Sequence, residues 1–243
     1  MAVTDEMRKE IDELWESYFY PGTNTLRNKL NIIDHEELKE KEAELTFEKL
    51  VELYENPIKG KFDIEHWKAI HKYIFGDIYE WAGNFRNVNM RKETDFTDYK
   101  NIEYFLKGEL DLMQEELKTL RTKEDMARLL ATYYFHLIQI HPFREGNGRS
   151  CREFLRELVA EKSKELTCGP LELDWTKFDG EVFMDNLQFA FVFRGAIENE
   201  FFKTLVPAEP EEEYKIKMWS INFTFLFVKH QLIFYINDLY IFL

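Results

Sequence analysis

Residues of the types that do chemistry are most concentrated in ten consecutive positions, His141 to Ser150, which read HPFREGNGRS. Two glycines flank Asn147, so successive backbone N–H groups can turn toward one point and form a concave anion site. A helix that begins in this stretch adds the positive end of its dipole to the same site. The stretch therefore predicts a loop that binds phosphate groups.

Charged side chains accompany this loop. Arg149 and Arg152 are three positions apart on the first helical turn and can reach further phosphate oxygens. Glu145 offers the hard oxygen ligand that Mg²⁺ prefers between phosphate groups. His141 can accept a proton near neutral pH, as a general base does with an attacking hydroxyl. These groups indicate transfer of a phosphorus-centred group onto a hydroxyl, through positioning and charge stabilisation.

The remaining side chains of the stretch favour other roles. Phe143 is a single apolar residue in a polar loop, so we predict that it is a structural anchor in the core. We predict that Arg144 faces solvent. A His-Pro pair or a Gly-Asn-Gly turn often has only a structural role. Their occurrence together with an acidic residue and two arginines favours a functional site. A zinc hydrolase is not indicated, because His66 and His71 are five apart and no His-Glu-x-x-His occurs.

Composition limits the class of protein. A chain of 243 residues, 45% of them hydrophobic, can bury the core of one domain. The formal net charge of −14 opposes a nucleic-acid partner. Two cysteines, Cys151 and Cys168, are too few for a disulfide framework. The N-terminal residues resemble no signal peptide, so we expect a cytoplasmic protein, with export into another cell left open.

Most of the chain has helical periodicity, which predicts a mostly α fold. The predicted helices place the decapeptide between two of them and cover Asp63–Tyr79, Tyr99–Leu120, Lys123–Ile138, Arg152–Glu161 and Asp179–Phe191. Thr122 and Asp125 are the predicted alternatives for the start of the helix before the decapeptide. The polar segment Phe85–Phe96 interrupts this pattern and predicts a small hairpin.

The C-terminal part differs in composition. An acidic linker at 207–214 precedes the apolar segment 215–243, whose longest uncharged run, Met218–Val228, is short of the about 20 residues that cross a bilayer. We expect this tail to pack as a hairpin or helix pair or to be an unrelated appendage, rather than to contact a membrane or partner. Residues 1–206 are then the functional domain.

The stretch HPFREGNGRSCR, His141 to Arg152, resembles the signature of the Fic family, His-x-Phe-x-[Asp/Glu]-Gly-Asn-Gly-Arg-x-x-Arg, at every defining position. The segments YPGTNTLRNKLNI and DIYEWAGNFRNVNM are similar to the N-terminal and pre-flap regions of bacterial members, so the resemblance covers roughly Tyr18 to Leu205. It implies a compact helical bundle with a β-hairpin flap near the active site. The implied activity is AMPylation, in which AMP from Mg-ATP is transferred to a Tyr, Thr or Ser hydroxyl of a target protein and pyrophosphate is released.

The resemblance also assigns roles to residues. It implies that His141 is the base and Glu145 the metal ligand. It implies that five residues bind the nucleotide phosphates, namely Gly146, Asn147, Gly148, Arg149 and Arg152. The family's flap clamps the target main chain by β-augmentation, and Lys92 and Phe96 are the predicted target-facing flap residues, with a solvated Lys and a core Phe as the alternatives.

Two departures bear on regulation and on the group transferred. The inhibitory pattern [Ser/Thr]-x-x-x-Glu-[Gly/Asn] of many members does not occur, and neither Glu198 nor Glu200 has Ser or Thr four residues earlier. We favour inhibition by a separate small antitoxin protein over a relaxed C-terminal form of the inhibitory pattern or the absence of inhibition. Relatives that transfer phosphate have lysine where this chain has Gly148, which favours AMP transfer.

A non-catalytic nucleotide-binding module is the other alternative. The intact His141 argues against it, since binding alone needs no base. The target is open, because relatives act on topoisomerase subunits or, when exported, on host GTPases.

Overall fold

The computed structural model describes residues 5–92, 95–179 and 194–208. The predicted mostly α fold is confirmed. The described α-helices are α1 (Asp5–Ser17), α2 (His35–Glu55), α3 (Ile64–Phe75), α4 (Ile102–Leu117), α5 (Lys123–Ile140), α6 (Asn147–Lys162) and α7 (Arg194–Thr204). Short 3-10 helices cover Tyr99–Asn101, Ser163–Glu165 and Trp175–Lys177, and the strands are β1 (Leu171–Leu173) and β2 (Leu205–Pro207).

Several helix starts follow from local capping. The Asp63 side chain accepts the His66 N–H and caps α3. Thr122 and Asp125 bond to each other's backbone N–H groups at 3.1 and 3.0 Å, which makes a capping box at the start of α5. The predicted extension of α3 to Tyr79 is wrong, because the chain turns after Phe75.

The chain divides into two compact units. The first contains the residues up to Leu110 together with Leu137–Cys151, and the second contains Asp111–His136 and the residues from Arg152 onward. The first unit holds the decapeptide. Its fully buried side chains include Leu53, Trp67, Ile70, Ile74, Phe75 and Phe143. These residues form the apolar core beneath the loop.

The second unit contains a small antiparallel sheet. Leu171 pairs with Pro207 and Leu173 pairs with Leu205. Sequence periodicity did not predict these strands, because three residues are too few to show alternation. Aromatic rings pack in the same unit, with Tyr134 and Phe201 at a centroid distance of 5.5 Å.

Some predicted features fall outside the described residues. The predicted helix Asp179–Phe191 lies there except for its first residue, as do the tail 215–243 and most of the linker 207–214. Among the helices that the structure describes, none combines the length and apolarity that a bilayer crossing needs.

The segment predicted as a hairpin has its two sides joined in the residues that the structure describes. Arg91 and Asp95 form an antiparallel bridge pair, and the Phe96 N–H donates to the Met90 carbonyl at 3.2 Å. Residues 93 and 94 lie outside the described ranges. We call Val88–Thr97 the flap segment.

Candidate active site

The decapeptide forms a loop between the end of α5 and the start of α6. His141, the first loop residue, has φ of 50°, a left-handed conformation that is uncommon for non-glycine residues. Gly146 has φ of 79°, and a Cβ atom there would lie 2.2 Å from the Phe75 ring. Only glycine therefore fits this position.

The Asn147 side chain holds the loop closed. Its Oδ1 accepts the Phe143 N–H at 2.8 Å, and its Nδ2 donates to the Phe143 carbonyl at 2.9 Å. Asn147 is buried. The amide thus bonds to its own loop in this structure, whereas the family resemblance implied a contact to the anion.

Phe143 anchors the loop from below. Its ring is fully buried, lies parallel to the His71 ring at a centroid distance of 3.8 Å, and meets the Trp67 ring edge-on at 5.6 Å. This position is the core location that a lone apolar loop residue favours. The loop backbone is therefore fixed relative to α3.

His71 of α3 supports the loop through both ring nitrogens. Nδ1 accepts the Gly83 N–H at 2.9 Å, so Nε2 carries the proton and donates to the Glu145 carbonyl at 2.9 Å. Burial lowers the pKa of His71 to about 3, which keeps the ring neutral. Sequence reasoning considered His71 only as a zinc ligand and missed this role.

His141 presents a neutral ring with one nitrogen available. Nδ1 lies 3.3 Å from the Ile138 carbonyl, to which it donates, and Nε2 then carries the lone pair. No described residue bonds to Nε2. Burial lowers the pKa of His141 to about 4, and the positive charges of Arg86, Lys92 and Arg144 act in the same direction. The ring is therefore unprotonated at neutral pH, with the lone pair that a general base needs.

The predicted flap residues take different positions. The Phe96 ring lies parallel to the His141 ring at a centroid distance of 3.8 Å and an angle of 9°. Phe96 is half-buried. Lys92 is exposed, and its charge acts on the pKa of His141. The structure thus brings both residues to the candidate base.

Glu145 offers an accessible carboxylate at the loop. Its side chain is 44% exposed, and Oε1 accepts the Gly146 N–H at 2.9 Å. The described residues contain no group of three or more His, Cys, Asp and Glu side chains placed to hold a metal ion. A single carboxylate suits Mg²⁺, which takes its other ligands from substrate phosphates and water.

Arg149 is engaged inside the protein. Its guanidinium donates to Glu42 of α2 at 2.5 Å and to the Thr46 hydroxyl at 3.2 Å, with its side chain 10% exposed. The Tyr79 hydroxyl donates to the second oxygen of Glu42, and the pKa of Tyr79 is raised by burial and by that charge. Arg149 therefore connects the loop to α2 in this structure. Sequence reasoning did not single out Glu42.

The N-terminus of α6 retains groups suited to an anion. The first N–H groups of an α-helix have no carbonyl partner within it, and here they belong to Asn147, Gly148 and Arg149. Arg152 follows on the same helix, is half-buried, and forms no ion pair with any residue in the described ranges. The start of the helix and the Arg152 side chain therefore place positive charge along this end of α6.

The prediction that Arg144 faces solvent is wrong. Arg144 is 7% exposed, and its guanidinium lies over the rings of Trp15, Tyr18 and Phe19 at 4.5, 5.3 and 5.1 Å. The faces of these rings attract the cation and shield it from water. The residues at the end of α1 therefore cover the outer side of the loop.

Known proteins are similar in sequence to this chain over much of its length. The model of the Fic/DOC family matches residues 61–159. The chain is 36% identical over 158 residues to a probable protein adenylyltransferase, y4lH of Sinorhizobium fredii, with 63% of this chain and 80% of the relative covered. It is 36% identical over 168 residues to the protein adenylyltransferase VbhT of Bartonella schoenbuchensis, covering 68% of this chain but 33% of that relative.

A solved structure shares the fold. The VirB-translocated effector BepC of Bartonella tribocorum, solved with bound AMPPNP, superposes with a TM-score of 0.70 at 22% identity. The match covers 80% of this chain and 98% of that one. With a filled signature at His141–Arg152 and a relative of this similarity covered over most of its length, the chain belongs to the Fic/DOC family.

Proposed function

We propose that this protein is an adenylyltransferase that transfers AMP from Mg-ATP to a hydroxyl group of a target protein and releases pyrophosphate. The observation that carries the proposal is the neutral His141 ring, whose Nε2 is free among the described residues, at the start of the loop that leads into α6. The relatives VbhT and y4lH bear this activity in their names.

The reaction begins with proton transfer to His141. Nε2 accepts the proton of the target hydroxyl as that oxygen attacks the α-phosphorus of ATP. A new oxygen–phosphorus bond forms, and the bond from the α-phosphorus to its bridging oxygen breaks. The electron pair of that bond leaves with pyrophosphate, so charge and atoms balance.

The α6 N-terminus stabilises the phosphates during this step. The N–H groups of Asn147, Gly148 and Arg149 face the negative charge, supported by the helix dipole. Arg152 reaches further phosphate oxygens. The Arg149 guanidinium, paired with Glu42, acts in the structure mainly to orient the loop. Glu145 would hold Mg²⁺, which reduces the charge of the phosphate groups.

The target approaches through the flap segment. Its main chain extends the flap by β-augmentation, with Lys92 and Phe96 near the candidate base. The reaction takes place where Mg-ATP is present, in the cytoplasm of the producing cell or of a cell that receives the protein. A separate small antitoxin protein is the proposed regulator, since the sequence lacks the internal inhibitory pattern. Residues 1–206 form the proposed catalytic domain.

Radiolabelled ATP tests the function. Wild type and His141→Ala are incubated in a lysate with Mg-ATP labelled on the α-phosphate, and proteins are separated by gel and weighed by intact mass. We expect a labelled band only with wild type, at the added mass of one AMP. ATP labelled on the γ-phosphate is the control and should add no band beyond those of the lysate alone. A band from γ-labelled ATP that requires the wild-type protein would instead establish phosphate transfer, and equal labelling from α-labelled ATP by wild type and His141→Ala would exclude His141 as the base.

A further inference from the structure

Arg86 is a buried arginine whose guanidinium donates to four backbone carbonyls. The distances are 2.7 Å to His141, 2.7 Å to Val88, 2.5 Å to Thr97 and 3.3 Å to Ile140. Only 2% of the residue is exposed. The Arg86 backbone N–H adds a bond to the Pro142 carbonyl at 2.9 Å.

These carbonyls belong to two functional elements. Val88 and Thr97 are the two ends of the flap segment, which the guanidinium therefore bridges. Ile140 and His141 are the end of α5 and the candidate base. Phe96, the residue before Thr97, lies against the His141 ring. One side chain thus fixes the flap and the backbone of the base to each other.

The chemistry of these positions calls for arginine. The last carbonyls of a helix lack partners within it, and a cation there interacts favourably with the helix dipole. Burial lowers the pKa of Arg86 to about 10, so the group stays charged at neutral pH. A planar guanidinium can serve several acceptors in fixed directions, whereas a lysine ammonium is a compact charge. The left-handed backbone of His141 also needs external support.

We propose that Arg86 is a positioning residue that sets the distance between the target held by the flap and the base His141. Its effect on transfer rests on the proposed function. The coupling between flap and base belongs to the structure itself and can be measured without transfer.

The kinetic test compares Arg86→Gln and Arg86→Lys with Arg128→Lys. Arg128 is the matched control, since it lies on α5 outside the candidate site, with an exposed side chain and a 3.5 Å ion pair to Asp125. Initial labelling rates of the target band are measured against lysate concentration at saturating Mg-ATP, and ATP affinity is measured by calorimetry. We expect Arg86→Gln to lower kcat and raise the target KM, with kcat/KM reduced on the order of tenfold to hundredfold.

Arg86→Lys should show a smaller loss, and ATP affinity should stay at the wild-type value in both variants. The control should remain within about twofold of wild type. A folded Arg86→Gln protein with wild-type kcat and KM would overturn the proposal, as would a loss confined to ATP affinity.

Two readouts do not require transfer. Trypsin cleavage after Arg91 or Lys92 reports the order of the flap, and ¹⁵N NMR of the His141 ring reports its tautomer. We expect faster flap cleavage and a less uniform tautomer in the Arg86 variants, at an unchanged rate of cleavage elsewhere. If Arg86→Gln does not fold, Arg86→Lys carries the test.

The outcomes separate the two proposals. Changed cleavage and tautomer without any wild-type labelling would support the positioning role and contradict the transferase. Unchanged cleavage and tautomer, with labelling by wild type, would contradict the positioning role alone.

Discussion

The surroundings of His71 and of His141 look alike at first inspection. Each ring lies parallel to a phenylalanine at a centroid distance of 3.8 Å, Phe143 for His71 and Phe96 for His141. Burial lowers both pKa values, to about 3 and about 4. Burial and pKa alone therefore do not separate a structural histidine from a chemical one.

The hydrogen bonds separate them. Both nitrogens of His71 bond to backbone groups, whereas His141 bonds through Nδ1 and leaves Nε2 free among the described residues. Phe143 is fully buried, but Phe96 in the flap segment is half-buried. The His141 ring therefore has a nitrogen that can contact a substrate, whereas both ring nitrogens of His71 are occupied.

The largest expected effect is the loss of transfer in His141→Ala. A positioned general base contributes about 10²–10⁴-fold to rate, so labelling should fall by that factor while ATP affinity and melting temperature hold. His35→Ala, an exposed histidine at the start of α2, is the control. Full activity of His141→Ala would remove the distinction between the two histidines.

The stacking phenylalanines provide a matched pair. Phe143→Ala should lower the free energy of unfolding by about 3–5 kcal/mol, because it leaves a cavity in the core. Phe96→Ala should cost less than about 1 kcal/mol, since the ring is half-buried, but should raise the pKa of His141 by exposing its ring to water. Urea denaturation measures the first quantity, and NMR titration of the ring measures the second. Equal losses of stability would show that the flap side chain is part of the core.

His71→Gln tests the support beneath the loop. The glutamine cannot reproduce both bonds in the same geometry, so the Glu145 carbonyl or the Gly83 N–H loses its partner at a cost of about 1–3 kcal/mol. Each kcal/mol should lower the melting temperature by roughly 2–4 °C in a chain of this size. Calorimetric scans of this variant and of His35→Gln measure the difference. An unchanged melting temperature would contradict the supporting role.

The effect of pH involves both histidines. The pKa values of both histidines are lower in the folded state than the about 6.5 of the unfolded chain, so the unfolded state binds more protons below that pH. Their stabilisation is present above about pH 6.5 and is lost as pH falls toward about 4 and about 3, by at most about 1.4 kcal/mol per pH unit for each residue.

Urea midpoints at pH 7, 6 and 5 measure this slope. His71→Gln should show a shallower slope than wild type, because one of the two groups no longer titrates. An identical slope would mean that His71 binds its proton equally in the folded and unfolded states.

The sequence predicted those parts whose signals are local. The helices around the decapeptide have clear periodicity, and the glycines, acid and histidine of the loop are adjacent in the chain. Roles that depend on distant partners were missed. Arg149 meets Glu42 across 107 positions, and α2 contains so many glutamates that none stands out. Arg144 was misjudged for the same reason, since Trp15 lies far from it in the sequence.

The contacts of Glu42 and of the aromatic rings around Arg144 bear on where this protein can be truncated. The family match begins at residue 61, which is a natural place to start an expression fragment. Such a polypeptide would lose the carboxylate opposite Arg149 and the three rings over Arg144. The guanidinium groups of Arg144 and Arg149 would then be exposed to solvent beside the phosphate-binding loop. They would attract anions from the buffer to that loop. The smallest useful version of this protein therefore begins before α1.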